Sequence, residues 1–284
     1  MVWKIRDLTL TLDRPLLMGI LNVTPDSFYD GGKYLNPAQA VDQAARLIQD
    51  GAHILDLGAE STRPGAKAVS ETEELSRLLP VLAQIKERFQ IPISVDTTKS
   101  QVAKGALRLG AHIINDVSGL KQDPAIAKVA HEFGAGLVLM HRRGTPENMQ
   151  LQTDYKDVVG DVIRELSESI SIAEASGVSP EQIAIDPGVG FSKTAEQNFE
   201  ILERLSELAR LGRPILIGPS RKSFLHSVTK SAPDRRLFGT TATCALAYER
   251  GARIFRVHDV WAIKEALLIT EAITHSHSGK KVSI

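Results

Sequence analysis

The sequence holds a single cysteine, Cys244, no long hydrophobic run and no excess of either charge. One cysteine excludes an internal disulfide and any zinc or iron–sulfur site built from several cysteines. The 34 basic residues balance the 34 acidic residues, so net charge gives no reason for attraction to nucleic acid or anionic lipid. Apolar runs such as residues 16–23 are far shorter than the roughly 20 residues of a membrane span, and the charged N-terminus is unlike a secretory signal. We therefore expect a cytoplasmic protein that binds neither nucleic acid nor membrane.

Several widespread catalytic motifs are missing as well. The sequence contains neither G-x-x-x-x-G-K-[ST] nor G-x-G-x-x-G, the phosphate-binding loops of P-loop and dinucleotide-binding proteins, and it contains no H-E-x-x-H zinc motif. The segment from Gly218 to Ser220 lacks the second glycine of a hydrolase nucleophile elbow. His275 and His277 resemble a metal-binding pair, but they lie in a serine-rich tail that we interpret as solvated.

What the sequence does contain is a regular alternation of two patterns. Eight nearly continuous apolar runs are typical of strands buried on both faces of a parallel sheet. They cover residues 16–23, 53–58, 92–97, 112–117, 136–141, 183–188, 214–220 and 254–259. Capped amphipathic stretches follow them near residues 36–51, 70–82, 99–109, 123–133, 155–176, 195–211, 234–250 and 260–274. This order predicts an α/β fold, a (β/α)8 TIM barrel forming one domain over residues 1–284, with a doubly wound open sheet as the alternative. Residues 1–14 alternate like a short N-terminal β-hairpin, which we expect to close the bottom of the barrel.

Polar side chains stand where the apolar runs end, which in a TIM barrel is the face that carries the active site. They are Asn22, Asp56, Glu60, Asp96, Asn115, Asp116, His141, Asp186, Ser220, Arg221, Lys222, Arg256, His258 and Asp259. Any one of the carboxylates could simply cap the next helix. So many Asn and Asp residues at strand ends, with arginine and histidine on the last strand, favour a binding site instead.

These side chains fall into two chemical groups. Asp96, Asn115 and Asp186 offer acceptors and a donor that suit the edge of a flat heterocycle with several N–H groups. The cations suit phosphate groups, and we expect them to converge on one mouth above a floor of carboxylates; they are Arg63, Lys222, Arg256 and His258. Asn22 could bind a hard divalent cation through its carbonyl oxygen. The sequence therefore predicts a site for a heterocycle that carries a phosphate ester.

Eight segments carry a closer likeness: GILNVTPDSFYDGG, LDLGAESTRPGA, SVDTTKS, INDVSGL, LMHRRGTPENMQ, DPGVGFSKT, IGPSRKSFL and GARIFRVHDV. Together, and in this order, they closely resemble the dihydropteroate synthases, a family of pterin-binding enzymes. The resemblance implies a transferase of folate biosynthesis, which condenses 6-hydroxymethyl-7,8-dihydropterin diphosphate with 4-aminobenzoate and releases diphosphate and 7,8-dihydropteroate. It also implies Mg²⁺ as the cofactor, inhibition by sulfonamides and a homodimer. Trp261 and Leu267–Leu268 in the last helix could form the dimer interface or could equally pack against the barrel.

The same resemblance assigns roles to individual residues. The pterin pocket would consist of Asp96, Asn115, Met140, Asp186, Gly218 and Lys222. The diphosphate would bind Asn22, Arg63, Arg256 and His258, with Mg²⁺ on Asn22. The 4-aminobenzoate site would contain Phe28, Thr62, Pro64, Phe191 and Ser220. The catalytic residues would be Asp30, Arg63, Lys222, Arg256 and His258. The chain departs from the family's usual residues at Tyr29, Ala59, Arg142 and Ser192.

Two other functions stay open at this point. A corrinoid-dependent methyltransferase would share the Asp and Asn residues of the pterin pocket, but it would not need Arg63, Arg256 and His258. A non-catalytic paralogue would retain the fold, and the loss of Arg63, Lys222 or the RVHD segment at residues 256–259 would favour it, but all of these are present. For the synthase we expect a dissociative, SN1-like displacement, because the sequence offers no activated nucleophile or dedicated base.

Overall fold

The protein is described by a computed structural model that covers residues 1–24, 29–30, 34–35, 37–62, 65–66, 68–274 and 276. Its centre is a closed barrel of eight parallel strands, which confirms the predicted TIM barrel and excludes the open sheet. In chain order the strands are β1 (Val2–Ile5), β2 (Leu8–Thr11), β3 (Leu16–Asn22), β4 (Tyr29–Asp30), β5 (Tyr34–Leu35), β6 (Ile54–Gly58), β7 (Ile93–Asp96), β8 (Ile113–Asp116), β9 (Gly136–Met140), β10 (Ile183–Asp186), β11 (Ile215–Ile217) and β12 (Ala252–Val257). The barrel consists of β3 and β6–β12, and each of these strands coincides with one of the predicted apolar runs.

Helices surround the barrel and follow its strands. They are α1 (Pro37–Gln49), α2 (Glu71–Arg88), α3 (Ser100–Arg108), α4 (Ala125–Phe133), α5 (Val158–Ala175), α6 (Ala195–Glu203), α7 (Phe224–Thr229), α8 (Leu237–Glu249) and α9 (Val260–Thr274). The hydroxyl of Ser70 accepts a hydrogen bond from the N–H of Glu73 at 3.2 Å, as the capping-box pattern at the start of α2 predicts. Among the described residues, no helix combines the length and the apolar character needed to cross a bilayer.

Two of the predicted helices differ from the observed ones. The helix predicted over residues 195–211 is α-helical only as far as Glu203, and Leu205–Leu211 forms a 3-10 helix. Apolar residues recur at similar intervals in both helix types, so periodicity does not distinguish them. The helix predicted over residues 234–250 begins only at Leu237, and α7 before it was not predicted because a helix of 6 residues is too short to show a period.

The N-terminal hairpin of β1 and β2 closes the bottom of the barrel, as predicted. Trp3 and Ile5 are fully buried among side chains of the barrel interior, including Met18 and Ile113. The indole N–H of Trp3 donates to the carbonyl of Gln182 at 2.8 Å, so the buried ring also has its polar atom satisfied. The hairpin therefore fills the interior from below and leaves only the opposite end of the barrel open to substrates.

The register of the strands aligns a row of residues at that open end. Asn22 on β3 is the register partner of Gly58 on β6, Gly58 is the partner of Asp96 on β7, and Asp96 is the partner of Asn115 on β8. These residues end or nearly end their strands. Backbone hydrogen bonds of the sheet therefore fix the relative positions of three predicted site residues.

Candidate active site

The mouth of the barrel gathers the acceptors predicted for the heterocycle. Asp96, Asn115 and Asp186 lie at the ends of β7, β8 and β10, and they are 7%, 2% and 5% exposed. Burial raises the pKa of Asp96, although the neighbouring Arg256 opposes this, and burial also raises the pKa of Asp186, opposed by the N–H of Gly188. Hydrogen bonds to these groups form in a low-dielectric setting, where they are stronger than in water.

Arg256 joins this acceptor group to the predicted diphosphate group. Its Nε donates to Oδ2 of Asp56 at 2.6 Å, and one terminal nitrogen donates to Oδ2 of Asp96 at 2.9 Å. Burial alone would lower the pKa of Arg256, but Asp56 and Asp96 outweigh it, so the pKa is raised and the guanidinium stays charged. The predicted pterin residues and the predicted phosphate residues are therefore in direct contact.

Asp56 is a site residue to which the sequence analysis gave no role. It lies within β6, is fully buried, and accepts a long hydrogen bond of 3.5 Å from the amide of Asn115 in addition to its bond with Arg256. Its second oxygen, Oδ1, is buried and has no hydrogen-bond partner. The sequence did contain a signal for Asp56, namely a carboxylate inside an apolar strand. A buried charge requires a partner, so such a residue points to a cation nearby.

Lys222 faces an aromatic ring. Its ammonium nitrogen lies 3.6 Å from the centroid of the Phe191 ring, within the range of a cation–π contact. Burial of the ammonium lowers the pKa of Lys222, while Asp186 opposes the shift. Phe191 also belongs to a small apolar cluster with Val117, Met140 and Met149. A predicted 4-aminobenzoate residue therefore adjoins the predicted pterin residues Lys222 and Met140.

Ser220 and His258 form a second link between predicted subsites. The Ser220 hydroxyl lies 2.9 Å from Nδ1 of His258 and accepts from the backbone N–H of the same histidine at 3.2 Å. Gly218 lies beside Arg256, and a Cβ atom on the glycine would be 3.7 Å from Cβ of Arg256. The residues after β11 and at the end of β12 therefore pack as one unit.

Thr62 lines a cavity of about 130 Å³ beside the acceptors, together with Asp96, Val117 and Arg142. Arg142, one of the departures from the family pattern, is 3% exposed. It has one long hydrogen bond of 3.4 Å to Gln122, and its Nε is buried without a partner. The positive charge of Arg142 lies near the acceptors and opposes the rise in the pKa of Asp96.

Four of the predicted residues are not placed as side chains. Phe28, Arg63 and Pro64 lie outside the described residues. Asp30 belongs to β4, which pairs with β5, but only its backbone is described. The roles assigned to these residues stay predictions.

The residues at the mouth fit a Mg²⁺ ion that is bound together with a substrate. Within the described part of the chain, no group of three or more His, Cys, Asp or Glu side chains could hold a metal ion. Asn22 and Asp96 flank Gly58, and a Cβ on that glycine would be 3.9 Å from Oδ1 of Asn22 and 3.8 Å from Oδ2 of Asp96. Mg²⁺ prefers such hard oxygen ligands and commonly takes few from the protein and the rest from substrate phosphates and water.

Comparison with known proteins agrees with this geometry. Residues 18–258 match the family model described as "Pterin binding enzyme". A dihydropteroate synthase of Synechocystis is 48% identical over 92% of this chain and 90% of its own. The Yersinia pestis dihydropteroate synthase, solved with a sulfonamide drug, superposes with a TM-score of 0.91 at 43% identity over 96% of this chain and 99% of that one. The Xanthomonas albilineans enzyme, solved with 4-aminobenzoic acid, has a TM-score of 0.88 at 43% identity over 94% of this chain and 95% of its own. The chain therefore belongs to the dihydropteroate synthase family of pterin-binding enzymes.

Proposed function

We propose that this chain condenses 6-hydroxymethyl-7,8-dihydropterin diphosphate with 4-aminobenzoate to give 7,8-dihydropteroate and diphosphate, as a transferase of folate biosynthesis. The observation that carries the proposal is the hydrogen bond of 2.9 Å from Arg256 to Asp96, because it makes the heterocycle acceptors and the phosphate cations one continuous site. A corrinoid-dependent methyltransferase would have no use for that continuity.

The pterin ring would be anchored through its N–H edge. Asp96, Asn115 and Asp186 accept and donate at the floor of the mouth, where water is largely excluded. Donors of the bound ring would compete with Arg256 for the Asp96 carboxylate, while the diphosphate would attract the guanidinium. Substrate binding would therefore exchange one set of charge-assisted hydrogen bonds for another, at little net electrostatic cost.

The reaction would proceed by loss of the leaving group before attack. The bond between the exocyclic methylene carbon and the diphosphate oxygen breaks, and its electron pair leaves with the diphosphate. Arg256 and His258, with the predicted Arg63, would stabilise that developing charge. The neutral amine of 4-aminobenzoate then forms the carbon–nitrogen bond and loses a proton to the released diphosphate or to solvent. Asp30, by resemblance, would stabilise the intermediate cation.

We expect a secondary isotope effect at the methylene clearly above unity, and a value near unity would contradict the dissociative route.

The metal and the second substrate have separate places in this proposal. Asn22 would hold Mg²⁺, which when bound neutralises charge on the diphosphate oxygens. The 4-aminobenzoate would lie between Phe191, Ser220 and the stem of Lys222, with the predicted Phe28, Thr62 and Pro64. Sulfonamides resemble 4-aminobenzoate in shape and charge, so we expect them to inhibit competitively against it, and uncompetitive kinetics would contradict the assignment.

A homodimer is the further part of the proposal. The described parts of α8 and α9 expose large apolar side chains at Phe238, Leu246, Trp261, Ile269 and Ile273. Leu267, which we considered for the interface, is 1% exposed and belongs to the core instead. We expect Ile269→Glu to convert a dimer to a monomer in sedimentation experiments, with Leu109→Glu directly after α3 as the control, and two variants of equal mass would contradict it. We place the enzyme in the cytoplasm and propose no nucleic-acid or membrane partner.

The main test is release of diphosphate. The purified chain is incubated with the pterin diphosphate, Mg²⁺ and 4-aminobenzoate, and each component is then omitted in turn. We expect release that depends on all of them. Release that does not depend on 4-aminobenzoate would contradict the proposed activity, and no release at all would favour a non-catalytic paralogue.

A further inference from the structure

A buried lysine lies beneath the turn that carries Phe191. Lys193 is 3% exposed, and its ammonium nitrogen lies 3.0 Å from Nδ1 of His141, 3.1 Å from the carbonyl oxygen of Gly188 and 2.9 Å from the carbonyl oxygen of Phe191. An ammonium group has three donors, and these three acceptors use all of them. Lys193 therefore ties both ends of the turn over residues 188–191 to the end of the neighbouring strand β9.

The turn depends on such anchors because its backbone is unusual. Gly188 and Gly190 in the turn, and Ser192 directly after it, have φ angles of +69°, +81° and +46°, in the left-handed region that disfavours residues other than glycine. A Cβ at Gly188 would lie 2.0 Å from the carbonyl oxygen of His141, so only glycine fits there. From the other side, the N–H of Gly190 donates to Oδ1 of Asn198 at 2.6 Å. Lys193 is thus the anchor of the turn on the barrel side.

His141 connects this lysine to the surrounding helix. Burial, together with the charge of Lys193, lowers the pKa of His141 to about 3, so the imidazole is neutral. Nδ1 then accepts from Lys193, and the remaining proton is assigned to Nε2. Nε2 lies 3.2 Å from Oε2 of Glu165 on α5, a contact that falls short of full hydrogen-bond geometry. Glu165 is also bound by Lys121 and, at 2.8 Å, by Nε of Arg143.

The Phe191 carbonyl that Lys193 holds belongs to the residue whose ring covers Lys222. The ring centroid is 3.6 Å from the Lys222 ammonium nitrogen, and these two side chains form walls of the proposed 4-aminobenzoate site. We propose that Lys193 is a positioning residue that sets the placement of the Phe191 ring against Lys222 and thereby the affinity for the arylamine substrate. This inference rests on the proposed function, but Lys193 itself would touch neither substrate.

The first experiment compares Lys193→Met with Lys121→Met. Methionine keeps an unbranched side chain of similar length without charge or donors. Lys121 is the control because it contacts Glu165, the residue next to His141, without contacting the turn. For Lys193→Met we expect at least a tenfold rise in KM for 4-aminobenzoate and less than a threefold change in KM for the pterin diphosphate. For Lys121→Met we expect both KM values within twofold of the wild type. Equal rises in both KM values for Lys193→Met, or none, would overturn the inference.

The second experiment leaves Lys193 in place and changes its partner. Asn at position 141 can present an acceptor to Lys193, whereas Leu cannot. We therefore expect His141→Asn to stay near the wild-type KM for 4-aminobenzoate and His141→Leu to raise it. Indistinguishable KM values for the two variants would contradict the role assigned to the Lys193 contact, even if Lys193→Met failed to fold.

A measurement without substrate separates this inference from the proposed function. The ring current of Phe191 should shift the NMR signals of the Lys222 side-chain protons upfield in the ligand-free protein. In Lys193→Met these signals should move toward their ordinary positions, and in Lys121→Met they should not. Unchanged signals in Lys193→Met would overturn the positioning role whether or not the enzyme is active. A wild type that shows the shift but releases no diphosphate would contradict only the function.

Discussion

At the bottom of the barrel the interior is filled with hydrocarbon from Trp3 and Ile5, whereas the open mouth holds Arg256 between Asp56 and Asp96. Burial of apolar surface is favourable in itself. Burial of charges is not, because the cost of removing them from water offsets most of the attraction between them. The bottom of the barrel therefore contributes to the stability of the fold, whereas the buried charges at the mouth contribute little to stability and serve function. We therefore expect loss of the Trp3 ring to lower stability with little effect on activity, and loss of the Arg256 guanidinium to lower activity.

The largest effect is expected at the bottom. Trp3→Ala removes a fully buried ring and should lower the free energy of unfolding by about 3–5 kcal/mol. Because the indole is remote from the mouth, kcat and both KM values at 25 °C should stay within twofold. Urea unfolding and diphosphate release measure the two properties. Leu8→Ala, on the exposed side of the same hairpin, is the control and should cost far less stability. A large loss of kcat in folded Trp3→Ala would contradict the expectation that the bottom of the barrel contributes to stability and not to activity.

The reciprocal substitution is Arg256→Ala. In the proposed mechanism it removes the charge-assisted contacts to the leaving group, and it should then cost about 2–4 kcal/mol of transition-state stabilisation, read as a fall in kcat/KM. Arg253 lies on the same strand near its opposite end, where it stacks on Tyr248 at 4.7 Å, so Arg253→Ala is the matched control and should keep its activity. Turnover of Arg256→Ala at the wild-type rate would refute the role assigned to that guanidinium.

Acid should weaken both ends, since each holds a neutral histidine. His112 at the bottom accepts from the N–H of Ile93 at 3.1 Å, and burial with nearby Lys86 lowers its pKa to about 4. His141 at the mouth has its pKa lowered to about 3. Below the ordinary histidine pKa of about 6.5, the unfolded chain binds protons at these positions and the folded chain does not. Stability should therefore be full above pH 6.5 and be lost as the pH falls toward 4 and 3.

The expected slope is at most ~1.4 kcal/mol per pH unit for each histidine. It is measured by urea unfolding at pH 7, 6 and 5. His112→Asn should remove the contribution of His112 and His141→Asn that of His141, so each variant should flatten the profile. If both variants kept the wild-type slope, the histidines would not be the cause of the acid sensitivity.

The smallest expected effect concerns backbone strain at the mouth. Ser192 has φ +46°, and its hydroxyl accepts from the N–H of Arg143 at 3.0 Å. Ser192→Gly relieves the strain but loses the hydrogen bond, so the free energy of unfolding should change by less than about 1 kcal/mol. Ser192→Ala loses the bond and keeps the strain, so it should be the less stable of the two. Thermal unfolding compares them, and a more stable Ala variant would contradict this account.

The barrel could be predicted from the sequence because its strands and helices are local patterns. Contacts between distant parts of the chain could not. The sequence placed Arg256 and Asp96 in one mouth, but it assigned Arg256 to a phosphate and Asp96 to a heterocycle. In the described part of the chain Arg256 is instead held by two carboxylates, and Asp56 is 200 residues away from it in sequence. Lys193 was likewise passed over, because nothing near it in the sequence reveals that its partners are a histidine that follows another strand and two carbonyl groups of the turn before it.

The row formed by Asn22, Gly58, Asp96 and Asn115 has a consequence for the size of the ligand. Register partners on neighbouring strands are separated by the spacing of the sheet, so the path along the sheet from Asn22 to Asn115 covers three spacings, about 14 Å, and the curvature of the barrel makes the direct distance shorter. The barrel thus fixes the separation between the predicted metal ligand, Asn22, and a predicted pterin ligand, Asn115. Backbone hydrogen bonds set this separation, so we expect the barrel itself to fix the interval between a bound metal and a bound pterin ring.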